Sequence, residues 1–171
     1  RGNLAQPQIQ GSLQGNQVGY QDLKIAKLAV QANQTGAQYD LRGTIEGLRQ
    51  GNNQVKQAEF SLQGQLARHS LNLKVVHQAG KLEGRAAGSW NGSQWRGAIE
   101  SLSLRDTTAG NWQLTNAVGV TASGQAFSLA NACLVNPQNA RICSKADWSP
   151  QRGLTANGAL QQVPMSLASS F

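Results

Sequence analysis

The chain alternates apolar and polar residues with a period of two nearly from end to end, and this limits it to β-structure. In "AEFSLQGQLARHSLNLKVV", Phe60, Leu62, Gly64 and Leu66 fall on one face, while Ser61, Gln63 and Gln65 fall on the other. The pattern restarts with Leu71, Leu73 and Val75. Successive side chains of a strand point to opposite faces, so this spacing predicts half-buried strands. Further strands are expected at Leu23/Ile25, Leu28/Val30, Leu41/Gly43/Ile45, Trp112/Leu114, Val118/Val120, Phe127/Leu129 and Leu154/Ala156. In "QWRGAIESLSLRD" the parity slips between Trp95/Gly97/Ile99 and Leu102/Leu104, which predicts a β-bulge or a short turn.

Turns are expected at Gln50-Gly51-Asn52-Asn53, Asn91-Gly92, Ala109-Gly110-Asn111 and Ser123-Gly124. No window keeps helical apolar spacing over three turns, though Ser12 to Leu23 leaves room for one short helix. The expectation is an all-β fragment of roughly ten to fourteen short strands.

A second pattern places glycine two residues after an apolar side chain, as in Leu41-Arg-Gly43, Leu62-Gln-Gly64, Leu82-Glu-Gly84 and Trp95-Arg-Gly97. Gly43, Gly64, Gly84 and Gly97 then share the apolar face, where they would let a sheet curl and leave space above it. The repeats are irregularly spaced, so no strict solenoid period emerges. Aromatics are only 5% of the chain, and no helix is available to cover the apolar face. A sandwich fills the space between its sheets with side chains from two inner faces. One long curved sheet folded into a U-shaped groove, with open edges, suits this thin apolar face better. Its lining would be Leu41, Ile45, Phe60, Leu62, Leu66, Leu71, Leu73, Val75, Trp95, Ile99, Leu102, Leu104, Trp112, Leu114, Phe127 and Leu129. An acyl chain is a natural occupant, because each buried CH₂ contributes ~0.8 kcal/mol.

The net charge is +7, but the basic residues are dispersed and no cluster is interleaved with stacking aromatics. That argues against nucleic acid. Nothing points to an enzyme or a cofactor. His69 and His77 fall in or beside polar strand positions without a carboxylate pair, and His69-Ser70 lacks a nucleophile elbow. The glycines of "GRAAGSWNGSQWRG" match neither the phosphate-binding loop nor the dinucleotide fingerprint. Asn33-Gln-Thr35 and Asn91-Gly-Ser93 are only short glycosylation sequons. No apolar run is long enough to span a bilayer as a helix.

Cys133 and Cys143 form no C-x-x-C motif and cannot complete a zinc site alone. Two free thiols or a disulfide remain. A hairpin with Asn136-Pro137 at its tip would bring the sulfurs together, and the disulfide is the expectation; it would persist in an oxidising compartment.

The succession "LARHSLNL", "GSWNGSQWRGAIESLSL", "GNWQL", "CLVNPQNARIC", "ADW" and "LQQVPMSL" resembles the TamB family of long periplasmic proteins of Gram-negative bacteria. The resemblance is carried by residues 61–171, with residues 1–60 fitting by strand and glycine texture. It implies a single fragment, 1–171, of an extended periplasmic "β-taco", taken from the middle of a parent anchored in the inner membrane. It implies phospholipid as cargo, a TamA-like Omp85 barrel as outer-membrane partner, and a role in outer-membrane protein assembly. Two alternatives remain at this stage. One is a chaperone that binds β-barrel precursors by strand addition at open edges. The other is a Gln/Asn-rich β-helix adhesin.

Overall fold

The computed structural model describes residues 8–163, so the last part of "LQQVPMSL" lies outside the described residues. Twelve strands follow one another: β1 (Gln8–Tyr20), β2 (Leu23–Thr35), β3 (Gln38–Gln50), β4 (Asn53–Gln65), β5 (Arg68–His77) and β6 (Gly80–Trp90), then β7 (Gln94–Thr107), β8 (Gly110–Leu114), β9 (Val118–Ser123), β10 (Phe127–Val135), β11 (Arg141–Ser149) and β12 (Gly153–Gln161). The first seven have 10 to 14 residues each, longer than the short strands expected. The helix considered for Ser12 to Leu23 does not form; β1 and the start of β2 occupy it.

All twelve strands join one antiparallel sheet. Each strand pairs with the next from β1 to β7, and the order continues through β10, β11 and β12. β8 and β9 share one place in the sheet. Both pair with β7 on one side and β10 on the other, so they form a single strand interrupted at Thr115–Ala117. Among the described residues β1 and β12 each pair on one side only, which leaves the sheet open. This antiparallel meander overturns the β-helix alternative, whose stacked coils need parallel neighbours.

No second layer covers the sheet. All substantial strand-to-strand contacts are between hydrogen-bonded neighbours. Among the described residues the buried apolar side chains are only Trp112, Val118 and Ala140. A globular domain buries whole rows of large apolar residues between two layers. Here no large side chain is fully buried.

The expected turns form. Gly51-Asn52 closes β3 to β4, Asn91–Ser93 closes β6 to β7, Thr108-Ala109 closes β7 to β8, and Gly124–Ala126 joins β9 to β10. Asn136-Pro137 begins the β10–β11 connection, where the Asn136 side-chain oxygen accepts from the backbone N–H of Gln138 at 3.0 Å and of Ala140 at 2.8 Å. This side chain replaces ladder bonds that the loop backbone cannot make.

Parity slips are organised in lines across the sheet. In β1 to β4 the apolar spacing slips by one residue at Asn16-Gln17, Ala26-Lys27, Glu46-Gly47 and Lys56-Gln57. The pairing skips these positions on every strand: Asn16 pairs with Lys27 and Val18 with Ile25, Lys27 with Glu46, and Glu46 with Gln57 before Leu48 with Val55, which leaves Gln17, Ala26, Gly47 and Lys56 in line between them. Gln17 and Gly47 adopt left-handed φ values of 52° and 63°. Because neighbouring strands carry the extra residue together, the ladder beyond the crease stays in register. Val18, Ile25, Leu48 and Val55 thereby stay on the apolar face despite the change of parity; an added Cβ on Gly15 would lie 2.8 Å from Val18 Cγ2. The crease ends as a bulge between β4 and β5, where β5 carries no matching slip.

A second crease crosses β7 at Glu100, the β8–β9 interruption and β10 at Ala130-Asn131. The slip read in "QWRGAIESLSLRD" is this bulge: Arg85 opposes Ser101 and Ala86 opposes Ile99, leaving Glu100 as the extra residue.

Candidate functional site: the uncovered apolar face

Pairing registers assemble the apolar face row by row. One row reads Leu41, Leu62, Leu71, Ala86, Ile99 and Val118 across β3 to β9. The next reads Leu13, Val30, Gly43, Phe60, Leu73, Gly84 and Leu102. A third reads Leu28, Ile45, Ala58, Val75, Leu82, Leu104 and Trp112. Leu114 follows Trp112 two residues on and pairs with Leu134. Trp95, Phe127 and Leu129 fall on the same face near its β7–β10 end. Of the sixteen expected lining residues only Leu66 leaves the wall: it sits in the β4–β5 turn, 55% exposed. The turn falls there because Gln65 pairs directly with Arg68, which leaves Leu66-Ala67 as the loop.

Most of these side chains are half-buried, and Leu71 remains 40% exposed. Such exposure comes from the missing second layer, since their lateral neighbours in the sheet are also apolar.

The glycines behave differently from the expectation of empty space. The Phe60 ring lies over Gly43 and fills it. Gly88 and Gly97 pair directly, and the Trp95 ring lies against both. A Cβ on Gly97 would also collide with the Ala87 carbonyl oxygen, so the two backbones approach too closely for any side chain. Gly64 has φ 126° and faces the Arg68 backbone, which makes it a position of backbone conformation rather than open room. Among the four expected curvature glycines, Gly84 alone has nothing closer than 3.4 Å to an added Cβ, the nearest atom being Leu102 Cδ1.

His69 corrects the assignment of the histidines to polar positions. It pairs with Gly64 and Gly88, on the apolar face. Trp95 Nε1–H donates to His69 Nε2 at 2.7 Å, and His69 Nδ1 lies 3.1 Å from the Gln65 carbonyl oxygen. An acceptor at Nε2 and a carbonyl at Nδ1 define the neutral Nδ1–H tautomer. His77 follows the same parity and accepts from the Ala79 N–H at 3.0 Å. Alternation in "RHSLNLKVVH" carries this signal, since both histidines keep step with Leu71, Leu73 and Val75.

The opposite face is polar. One row across it reads Ser12, Gln31, Arg42, Ser61, Asn72, Arg85 and Ser101. Arg42–Asp40 and Arg85–Glu100 close at 2.8 Å, as does Lys81–Asp106. The Arg42 guanidinium holds the Asp40 carboxyl below the usual carboxylate range, and Lys81 does the same for Asp106. A crevice of about 460 Å³ between Asn72, Lys74, Arg85, Ser101 and Arg105 lies among these side chains.

Cys133 and Cys143 are directly opposed on β10 and β11, and they form a disulfide with Cα atoms 4.0 Å apart. On regular β11, Cys143 alternates with Ile142, Ala146 and Trp148, which belong to the apolar face. The bridge therefore crosses the polar face. It pins the β10–β11 register just beyond the second crease without touching the apolar wall.

One open, single-layer antiparallel sheet with a continuous uncovered apolar face defines an all-β, single-sheet protein. A family model described as TamB, N-terminal domain, matches residues 1–171, and the chain belongs to the TamB family, a family of transport and assembly modules. The match extends through residues 1–60, beyond the motifs of residues 61–171 that carry the resemblance. Comparisons with curated proteins and with solved structures give no match.

Proposed function

We propose that this segment is one stretch of a periplasmic, U-shaped groove that shields phospholipid acyl chains between the inner and outer membranes, and so supports outer-membrane protein assembly. The observation that carries this is the apolar face itself, continuous across the sheet and covered by no second layer. An apolar surface of this extent in water is unfavourable unless something occupies it. Acyl chains suit a broad, featureless strip because burial in it is non-directional, at ~0.8 kcal/mol per CH₂. No bond is made or broken. The Cys133–Cys143 disulfide supports an oxidising compartment. A TamA-like Omp85 barrel is the outer-membrane partner in this scheme, and the parent is held at the inner membrane.

The test is a photo-crosslinking amino acid at Leu73, on the apolar face, compared with Asn72, on the polar face, in the full-length protein in cells. Phospholipid captured at Leu73 and not at Asn72 is the expected result. Equal capture at both positions, or none at Leu73, refutes the groove.

A second reading rests on sheet edges: among the described residues β1 and β12 each pair on one side only. An unpaired edge can accept an extended β-barrel precursor as an added strand. Crosslinkers along β1 or β12 would then capture polypeptide, whatever Leu73 captures.

A further inference from the structure

The two long margins of the apolar face differ in chemistry. At one margin lie the β4–β5, β6–β7, β9–β10 and β11–β12 connections. There Trp90 pairs with Trp95, Trp95 with Ala122, Ala122 with Phe127, Phe127 with Trp148, and Trp148 with Leu154. Three of the four tryptophans of the chain therefore stand in a single row at one lip. Leu66 joins them from the β4–β5 turn, where its carbonyl accepts from the Trp90 N–H at 2.7 Å. Phe127, Trp148 and Leu154 are 36%, 38% and 69% exposed, so the row is open to solvent. Arg68, Arg96 and Arg152 stand at the same margin, all exposed.

The opposite margin is built from His77–Gly80, Thr107–Gly110 and Asn136–Ala140. Its tryptophan, Trp112, is 4% exposed and donates to the Ala109 carbonyl at 2.8 Å. Its neighbouring Lys81 is held by Asp106. From β5 to β12 the aromatic lip is thus amphipathic and open, whereas the facing margin buries its tryptophan and pairs Lys81; farther along that margin, at the β1–β2 turn, Tyr20 is exposed.

We infer that the aromatic lip is the headgroup shelf of the groove, fixing the direction in which a phospholipid lies across the sheet. This rests on the lipid-groove proposal above. A phospholipid has a wet phosphate, an ester-linked boundary and dry tails. Indole rings favour that boundary because the ring is apolar and the N–H is a donor. Among the described residues the Trp90 and Trp148 indole N–H groups have no protein acceptor, unlike those of Trp95 and Trp112. They are available to the glycerol esters, while Arg152, exposed in the β11–β12 turn, is the charge-assisted donor this lip offers the phosphate. The tails then run from this lip across the Leu62, Leu73 and Leu104 rows toward the other margin.

The test uses full-length protein with the native tryptophans replaced by Phe except Trp148, loaded with phosphatidylglycerol carrying a doxyl quencher at acyl carbon 5 or carbon 16. A second variant replaces Trp148 as well and carries Leu73→Trp as a probe in the trough. Trp148 fluorescence is expected to be quenched at least twofold more by the 5-position label than by the 16-position label, with Leu73→Trp quenched by both. Quenching of Leu73→Trp with equal, reversed or no quenching of Trp148 overturns the shelf and leaves the groove standing. Quenching of neither probe in lipid-loaded protein overturns both.

Discussion

Trp95 Nε1–H donates to His69 Nε2 at 2.7 Å across the paired glycines Gly88 and Gly97. The indole reaches the histidine because neither glycine has a side chain to obstruct it. The bond therefore ties β7 to β5 over the intervening β6. Replacing His69 with Ala removes the acceptor and leaves a half-buried indole N–H unsatisfied. The expected loss is about 1 kcal/mol in urea unfolding, with a red shift of tryptophan emission relative to wild type.

The same geometry separates two glycines that look alike in sequence. A Cβ on Gly97 collides with fixed backbone, whereas one on Gly84 meets only the flexible end of Leu102. Gly97→Ala should cost about 1–3 kcal/mol. Gly84→Ala should stay within about 0.5 kcal/mol of wild type or stabilise slightly, because alanine lowers the entropy of the unfolded chain. Denaturation of the two variants side by side checks this, and equal effects contradict the packing described.

The crease across β1 to β4 makes a separate prediction. Gly47 has φ 63°, and a Cβ there would lie 2.8 Å from that of Ala26. Gly47→Ala should therefore destabilise by about 1 kcal/mol or more. Hydrogen exchange should rise first at Leu48 and Val55, beyond the crease, before it rises at Phe60 and Leu62.

The disulfide closes a short loop and should contribute about 3 kcal/mol in the chain-entropy model. Cys133→Ser/Cys143→Ser should lower stability by roughly this amount. Because the bridge lies on the polar face, lipid capture at Leu73 should survive the double substitution under conditions where the protein stays folded. The mass of the non-reduced, alkylated chain should show no free thiol.

The Asp40 carboxyl is held below its ordinary range chiefly by the hydrogen bond from Arg42, and then by its charge. A folded-state value depressed below the unfolded one gives stability that is present above the unfolded value. It is lost as pH falls through the folded one. The Asp40–Arg42 pair should therefore matter at neutral pH and fade only in the acid range. Arg42→Gln should move the Asp40 titration, followed by carbon-detected NMR, back up toward the ordinary carboxylate value.

Much of the strand architecture was legible because side-chain alternation is a local property of a pleated chain. It identified the walls built from Phe60, Leu62, Leu73 and Leu102, the bulge at Glu100, and the hairpin that begins at Asn136. The long β1 and β2 were harder to read, since their polar residues are mostly Gln and Asn, which leaves a short helix as a competitor. Leu66 looked like a fourth wall position because alternation continues through the turn, and only the Gln65–Arg68 pairing removes it from the strand.

The sequence by itself determined which residues alternate, where the chain turns and which face is apolar. Tertiary structure alone decided what those faces meet. Pairing registers align four separate slips into one crease, set Trp95 over two glycines, turn His69 inward, gather the aromatics on one lip and place the disulfide on the polar side. Period two fixes a residue's face within its own strand. Its neighbours on that face come from other strands, often far along the chain, and the register that brings them together is a property of the whole sheet.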